Sequence, residues 1–530
     1  MHLRKHDLLQ MDAEWLKKLP AERLLDVSIR LLDDVKELQD RLNQNPANSS
    51  RPPTSQAPWE KPGAGEEEDE GMPAKRPPAK VPEAATEAMD PADSTEETVP
   101  RDVPPPLPPK ASDRKAGKQP GSPGHGRTQQ LTVTDTCEHR PACCAACGLA
   151  LATDTPSQAY TAWDEVNIAP PVDGQIGLIF RVTRHQMLEV SCPCGHTTRA
   201  LPWRAPADSL WDRVGLGEWR LVGPQLAGMI VFLALRMHLS RRRIRELLRE
   251  LFGLLLSIGV IDETIREAGR ASYPLEDALV TEVRQAAELF VDETSWRERA
   301  QCLWLWALVT THTVVFFIGY RTAEILQNAL QDGFDGRLIS DGYRVYRAWE
   351  NRLRCWAHLM RKLRGLAESS DARVAEVGKE MEGLMKTWMA AIYAARIDPP
   401  LEGLRIRYAA AIERLRQQCE AHQADDHKVL GSVAREFLYD WKVILRPVNE
   451  PHLPLTNNAA EQALRHWVIA RYLSHGTRSE EGSRAFALLA SVIETCRRRE
   501  ACAWRYLGTV IEAARKGLEL PALPAIPATA

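Results

Sequence analysis

A multidomain α/β protein is predicted by three features of this 530-residue sequence. Short runs of β-branched and aromatic residues cluster after residue 287. Helical periodicity dominates the segments before and after that cluster. Six of the eleven cysteines fall between Cys137 and Cys194, apart from both. The length fits three or four folding units, and a hydrophobic fraction of 44% fits a sizeable core.

In residues 1–44, Leu24, Leu31 and Leu38, with Val35 and Leu42, repeat every seven positions, as in a coiled-coil seam that would let the chain self-associate. One amphipathic helix packed on another element is the alternative. Residues 45–130 are rich in Pro, Ala, Glu, Ser and Gly, and include Pro104-Pro105-Pro106-Leu107-Pro108-Pro109. Such a segment buries too little apolar surface to offset its ordering entropy, so a disordered linker is expected. Its end, Gly117 to Arg127, is basic and glycine-rich, suited either to following a phosphate backbone or to solvation.

Residues 131–205 hold the clustered cysteines. Short spacings without a secretion signal point to metal rather than disulfides. Cys144 and Cys147, then Cys192 and Cys194, each end in a glycine, as in a zinc ribbon holding one structural Zn²⁺. The second pair has one intervening residue, so Cys137, His139, Cys143 and His196 are possible substitutes. Residues 206–285 are expected to be helical and to bind DNA. Ser240 precedes Arg241, Arg242 and Arg243, Gly253 interrupts, and a second helix is expected to open at Asp262 as its N-cap.

Residues 286–364 carry the strand runs: Glu288 to Asp292, Leu303 to Val309, and Thr313 to Gly319. A helix over Thr322–Leu330, a strand Arg337–Ser340 and a strand near Leu353–Cys355 follow. Three strands, helix, strand, helix, strand is the order of a ribonuclease H-like core. Residues 365–445 read as a helical insertion, 446–500 as the last part of the core, and 501–530 as a C-terminal helix and tail.

Net charge is -3, so any nucleic-acid contact must rest on local patches. The longest apolar stretch, Leu226–Leu235, is too short to span a bilayer. A cytoplasmic protein without membrane contact is expected.

Asp292 and Asp341 end two different predicted strands, and Glu461 lies on a helix after Asn457-Asn458. Phosphodiester chemistry uses two divalent cations a few ångström apart, and hard carboxylate ligands suit Mg²⁺ or Mn²⁺. These three acids are the candidate ligands of such a pair. Glu461 has a competing reading. With Asn458 as N-cap it would sit at the third helical position and bond back to the cap, or it would pair with Arg465 four residues on. Arg361, Lys362, Arg465 and Arg471 are further candidate DNA contacts. Arg352, Arg354 and Arg364 either line the DNA path or form a solvated face. His358 either approaches DNA and the carboxylates or is a satisfied strand-end histidine.

Six motifs then occur in a familiar order. They are Asn45 to Pro53, Gly117 to Arg127, Val291-Asp292-Glu293-Thr294, Ser340-Asp341-Gly342-Tyr343, Cys355-Trp356-Ala357-His358, and Thr456-Asn457-Asn458-Ala459-Ala460-Glu461. In these the chain resembles the insertion sequence 66 family of DDE transposases over nearly its whole length. The resemblance implies cleavage of double-stranded DNA at element ends and attack of the freed 3′-hydroxyl on target DNA. It also implies a dimer or higher assembly on DNA and element-encoded accessory proteins. Gln462 stands where the family usually has arginine. A nuclease without strand transfer, and a DNA-binding derivative without catalysis, are the two rival readings.

Overall fold

Heptad-spaced leucines fold into α1 (Ala21–Leu42) in the computed structural model of the chain. It describes residues 16–44, 48, 129–170, 172, 174, 176–207, 211, 214–299, 301–331 and 334–527. The expected linker, 45–130, lies outside these apart from residues 48, 129 and 130. Leu25, Leu32, Val35, Leu38 and Leu42 of α1 are exposed. The helix is tied at its C-terminal end, where Asp40 accepts from Ser369 Oγ (2.6 Å) and the Ser370 N–H (2.8 Å).

The cysteine-rich segment forms a small sheet of β1 (Asp135–His139), β2 (Ser157–Ile168), β3 (Phe180–Ser191) and β4 (Thr197–Arg199). β3 is its centre, with β1 parallel and β2 and β4 antiparallel to it. Four helices follow: α2 (Pro224–Leu235), α3 (Arg241–Phe252), α4 (Ile258–Ser272) and α5 (Leu275–Arg284). Ser240 caps α3 by accepting from the Arg243 N–H, and Gly253 ends it at φ 64°. The next helix does not open at Asp262 as expected. Ser257 caps α4 by accepting from the Val260 N–H at 3.1 Å, leaving Asp262 four residues inside. Ile258 and Ile261 already follow the helical period there, and Ile261 is buried, so packing starts the helix earlier than the acidic cluster suggests.

The strand-forming runs build a second sheet from β5 (Glu288–Glu298), β6 (Gln301–Val309) and β7 (Val314–Gly319), then, after α6 (Ala323–Leu330), β8 (Arg337–Ser340) and β9 (Arg352–Arg354). The spatial order is β7-β6-β5-β8-β9. β5, β6 and β7 pair antiparallel, while β8 is parallel to both β5 and β9. After α7 (Trp356–Ala367) come α8 (Ala372–Ile397), α9 (Leu404–Arg407), α10 (Ala409–His422), α11 (Lys428–Tyr439) and α12 (Trp441–Asn449). These helices have their own core around Met381, Trp388, Leu415 and Phe437, shared with Trp356 and Leu363 of α7.

The chain returns to the sheet with α13 (Asn458–Ser474), α14 (Glu480–Arg498) and α15 (Ala503–Arg515). The main core joins Ile230, Ile261, Trp306, Trp467 and Leu489, drawn from helices and sheet alike. Burying each such side chain contributes about 2–3 kcal/mol. α14 also covers the edge strand: Thr495 Oγ1 and Ser491 Oγ accept from the Val314 and Phe316 N–H groups at 3.1 and 2.8 Å. α2 and α15 cross so closely that a Cβ on Gly228 would lie 2.1 Å from the Trp504 carbonyl oxygen. Among the described residues no helix is long and apolar enough to cross a membrane.

Candidate active site

Strand register brings the two aspartates together. Phe290 on β5 is level with Ile339 on β8, which is level with Leu353 on β9. Side chains repeat every second residue on one face of a strand. The next positions on that face are therefore Asp292, Asp341 and Cys355. Below them Ile339, Leu353 and Leu453 pack together with Phe290, so an apolar row supports a polar one.

The loop before α13 lies over this row. Trp356 donates its N–H to the Leu455 carbonyl at 2.7 Å, and Arg396 bonds the Pro451 and Leu453 carbonyls, each at 2.7 Å. Asn457, fully buried, donates its N–H to Cys355 Sγ at 3.3 Å and its amide to the Val291 carbonyl at 2.8 Å. One asparagine thus joins the helix carrying Glu461 to the strand carrying Asp292. It is also the N-cap of α13, one position earlier than Asn458. Glu461 then falls at the fourth helical position, out of reach of a capping box. Its basic neighbours are Arg361 and the His358 imidazole, each 3.6 Å from Oε1, rather than Arg465. Oε1 is buried without a hydrogen bond, as is His358 Nδ1.

Burial holds the Asp292 carboxyl well above the usual carboxylate range, and the charges of Asp341, Glu293 and Glu461 push the same way. The Glu293 N–H, donating to Asp292 Oδ1 at 3.0 Å, opposes the shift. Burial and Arg361 hold the His358 imidazole below its ordinary value. The Cys355 thiol is pushed up by burial. Asp341 and Glu461 lie near enough to raise the Asp292 carboxyl, while Glu461 itself groups within 4.8 Å with Cys355 and His358. Carboxylate oxygens of this kind suit hard divalent cations.

The opposite face of β5 is arranged otherwise. Glu293 accepts from Arg321 Nε and a terminal nitrogen at 2.9 and 2.6 Å, and from the Tyr346 hydroxyl. The Arg321 guanidinium stacks between the Trp304 and Tyr343 rings at 4.1 and 4.0 Å. Burial and Asp341 still push the Glu293 carboxyl up to about 7. Tyr343 donates its N–H to Asp341 Oδ1 at 2.8 Å. Gly342 between them has no room for a side chain: a Cβ would lie 2.5 Å from an Arg354 terminal nitrogen and 2.6 Å from Glu436 Oε1. Sequence reasoning did not single out the Glu293–Arg321–Tyr346 network. Its one visible sign is a second acid directly after Asp292, which strand geometry sends to the other face.

The candidate DNA contacts divide into groups. Arg241, Arg242 and Arg243 are exposed on α3, with Arg241 3.2 Å from Asp262. Arg465 is exposed on α13. Lys362 is taken up by Glu436, at 2.6 and 2.8 Å. Arg471 anchors α13 to β5 through Thr294 Oγ1 (2.9 Å) and Ser295 Oγ (2.8 Å). Arg352 and Arg354 overturn their expectation, being neither on a DNA path nor solvated. Both are buried, Arg352 2.5 Å from Asp440 and Arg354 on Asp440 and Glu436. A three-residue strand between two layers has no solvent face, so its charges are buried with counter-charges.

Cys144, Cys147, Cys192 and Cys194 converge, with their sulfurs all within 4.8 Å of one another. Two of the separations are 3.7 Å (Cys144 to Cys194) and 3.6 Å (Cys147 to Cys192). Four thiolates about 2.3 Å from one Zn²⁺ stand about 3.8 Å apart, so the cluster fits zinc. Gly148 and Gly195, at φ 75° and 87°, close the turn after each pair by donating to the Cys144 and Cys192 carbonyls. That makes the shorter second spacing workable. Cys137 and His139 lie instead beside His185.

The mixed sheet thus carries one acid on β5, a second just past the end of its parallel neighbour β8, and a third on the late helix α13. In comparison with known proteins, residues 220–485, half of the chain and all three acids included, match the model of the Transposase IS66 family. The chain belongs to that family. It is also similar to a protein of Sinorhizobium fredii (strain NBRC 101917 / NGR234) described as uncharacterized protein y4jO, 26% identical over 174 residues. The match covers 33% of this chain and 52% of that one, so the chain spans about half the length of this curated relative.

Proposed function

We propose that this transposase cuts double-stranded DNA at the ends of its element and joins the freed 3′-hydroxyl to target DNA, on a ribonuclease H-like core. The observation that carries the reading is the row of Asp292 and Asp341 from adjacent parallel strands, with the Glu461 carboxylate, one buried oxygen of which makes no hydrogen bond, beside it. Asp292, Asp341 and Glu461 would hold two Mg²⁺ (or Mn²⁺). When bound, such a pair supplies activation of the attacking oxygen and stabilisation of the leaving one. Without cations the acids repel, which adds to the burial that holds the Asp292 carboxyl high. Asn457 and Cys355 position the third acid against the first. His358 and Arg361 flank Glu461 and limit where its carboxylate turns.

Arg241, Arg242, Arg243 and Arg465 are the proposed DNA contacts of this reading. Arg361 is a further one, shared with Glu461. The four-cysteine cluster would hold one structural Zn²⁺. A dimer or larger assembly on DNA is part of the proposal, because two element ends must meet.

The test uses labelled element ends, taken from inverted repeats flanking the gene, with a target plasmid and Mg²⁺. Joined products are expected. Cleavage without joining would replace the proposal by a nuclease. Retained function in Asp292→Asn, Asp341→Asn and Glu461→Gln together would replace it by DNA binding alone.

A further inference from the structure

Outside the acid row and the four-cysteine cluster, a third group of metal-ligand side chains stands on the small sheet. β1 runs parallel to β3 with Cys137 level with His185. His139 is two residues on from Cys137, so both point to the same face. One ligand atom from each of the three lies within 4.8 Å of the others. His139 Nε2 and His185 Nδ1 are 2.8 Å apart. Both rings stack on the buried Trp163, at 5.7 and 4.7 Å between centroids, and Trp163 stacks in turn on Trp219 at 5.4 Å. The rings are thus held in place by aromatic packing. His185 Nε2 is buried without a partner, so the polar contact of that ring is on the side of the cluster. Cys137 is exposed and leaves a path for an ion.

We infer that Cys137, His139 and His185 form a second transition-metal site, which takes one Zn²⁺-class ion through one thiolate and two imidazoles. Sulfur with imidazole nitrogen selects Zn²⁺ over Mg²⁺ or Ca²⁺. Water fills the fourth position, as in zinc sites with three protein ligands. Binding replaces the imidazole–imidazole hydrogen bond by two metal–nitrogen bonds and releases the Cys137 thiol proton. The ion is distinct from that of the four cysteines. His185 and Cys192 are seven residues apart along β3 and its end, about 20 Å, while zinc–ligand bonds are about 2.0–2.3 Å. Its effect is to fasten β1, which among the described residues pairs with β3 alone, to the centre of the sheet.

The test is metal stoichiometry of the full chain. Metal-free protein is loaded with Zn²⁺ or Co²⁺, freed of excess by gel filtration, and analysed. Two equivalents are expected. Cys137→Ser should leave one, and so should His139→Ala with His185→Ala. Cys144→Ser with Cys147→Ser should remove the other and spare this one. In the Co²⁺ form, Cys137→Ser should delete a minor part of the thiolate-to-metal absorption and leave the four-cysteine bands intact. Cys137 is exposed, so that variant reports on binding without risking the fold. One equivalent in the parent chain, or two that persist in Cys137→Ser and in the histidine pair variant, would overturn the site and leave a stacked aromatic layer.

Discussion

Asp292 and Glu293 are chain neighbours on one strand, the first half-buried and the second buried, and both are held above the usual carboxylate range, yet their surroundings are opposite. Glu293 has a guanidinium at 2.6 Å and a tyrosine hydroxyl. Asp292 accepts one backbone N–H and faces two further acids. A buried carboxylate with cationic and hydroxyl partners is structural. One left among other carboxylates is, on the proposed reading, a ligand for cations. Asp440 extends the first kind, being fully paired with Arg352 and Arg354. The row around Asp292 stands for the second kind.

The largest expected effect tests that division directly. Asp292→Asn should lower cleavage by about 10³-fold or more, the scale for residues that act as a unit, with DNA binding and the melting midpoint close to the parent. Glu293→Gln should keep measurable cleavage and instead lose about 2 kcal/mol of stability, because it weakens a charge-assisted hydrogen bond. If the two variants exchanged these phenotypes in parallel cleavage and melting assays, the roles assigned to the two faces would be reversed.

Asp440→Asn comes next. Leaving Arg352 and Arg354 buried with half their counter-charge should cost about 3–5 kcal/mol, the usual penalty for breaking a buried pair. Urea unfolding would measure it, and a change below about 1 kcal/mol would mean the cluster is wetter than its burial indicates. A smaller effect is expected at Asn457→Ala. It should slow cleavage by about 10- to 100-fold, as for groups that orient metal ligands, and raise the Mg²⁺ concentration needed for half-maximal rate. An unchanged Mg²⁺ requirement would reduce Asn457 to a helix cap.

The last test is a pH slope. The native Glu293 carboxyl titrates near 7, against about 4.3 when unfolded. The native state therefore holds more protons between those values. Its contribution to stability is full below about pH 4.3 and is lost as pH rises through 7. Glu293→Gln should flatten the fall in urea midpoint between pH 5 and 7 relative to the parent. An unchanged fall would show that Arg321 outweighs burial and that the carboxyl is not raised into this window.

Much of this contrast could be read before any coordinates. The strand runs after residue 287 are bounded by turn residues, so their number and order were legible. The end of the first was not, because β5 runs on to Glu298 and leaves Asp292 in mid-strand, while Asp341 lies one residue past β8. The paired cysteines were legible because a metal site needs close ligands. What escaped depends on register across distant segments. Asn457 rather than Asn458 caps α13 because its side chain is drawn down to the Val291 carbonyl, 166 residues earlier. The arginines of β9 looked like a solvated or DNA-facing row because nothing local marks Asp440 as their partner. Asp262 read as a cap because its acidic cluster is visible, whereas the buried face that begins α4 at Ile258 is not.

The 86 positions between Arg354 and Asp440 also impose an order on the making of the protein. At roughly 5–20 residues per second, the carboxylate leaves the ribosome about 4–17 s after the guanidinium it neutralises. During that interval β9 cannot be buried in its final form, since two bare cations would have to be desolvated with it. The nascent chain already contains both aspartates and all the cysteines of the small sheet, but its acid row stays unassembled. On the proposed reading the row would be completed only in the last stage of each molecule's synthesis, because Glu461 follows Asp440 along the chain.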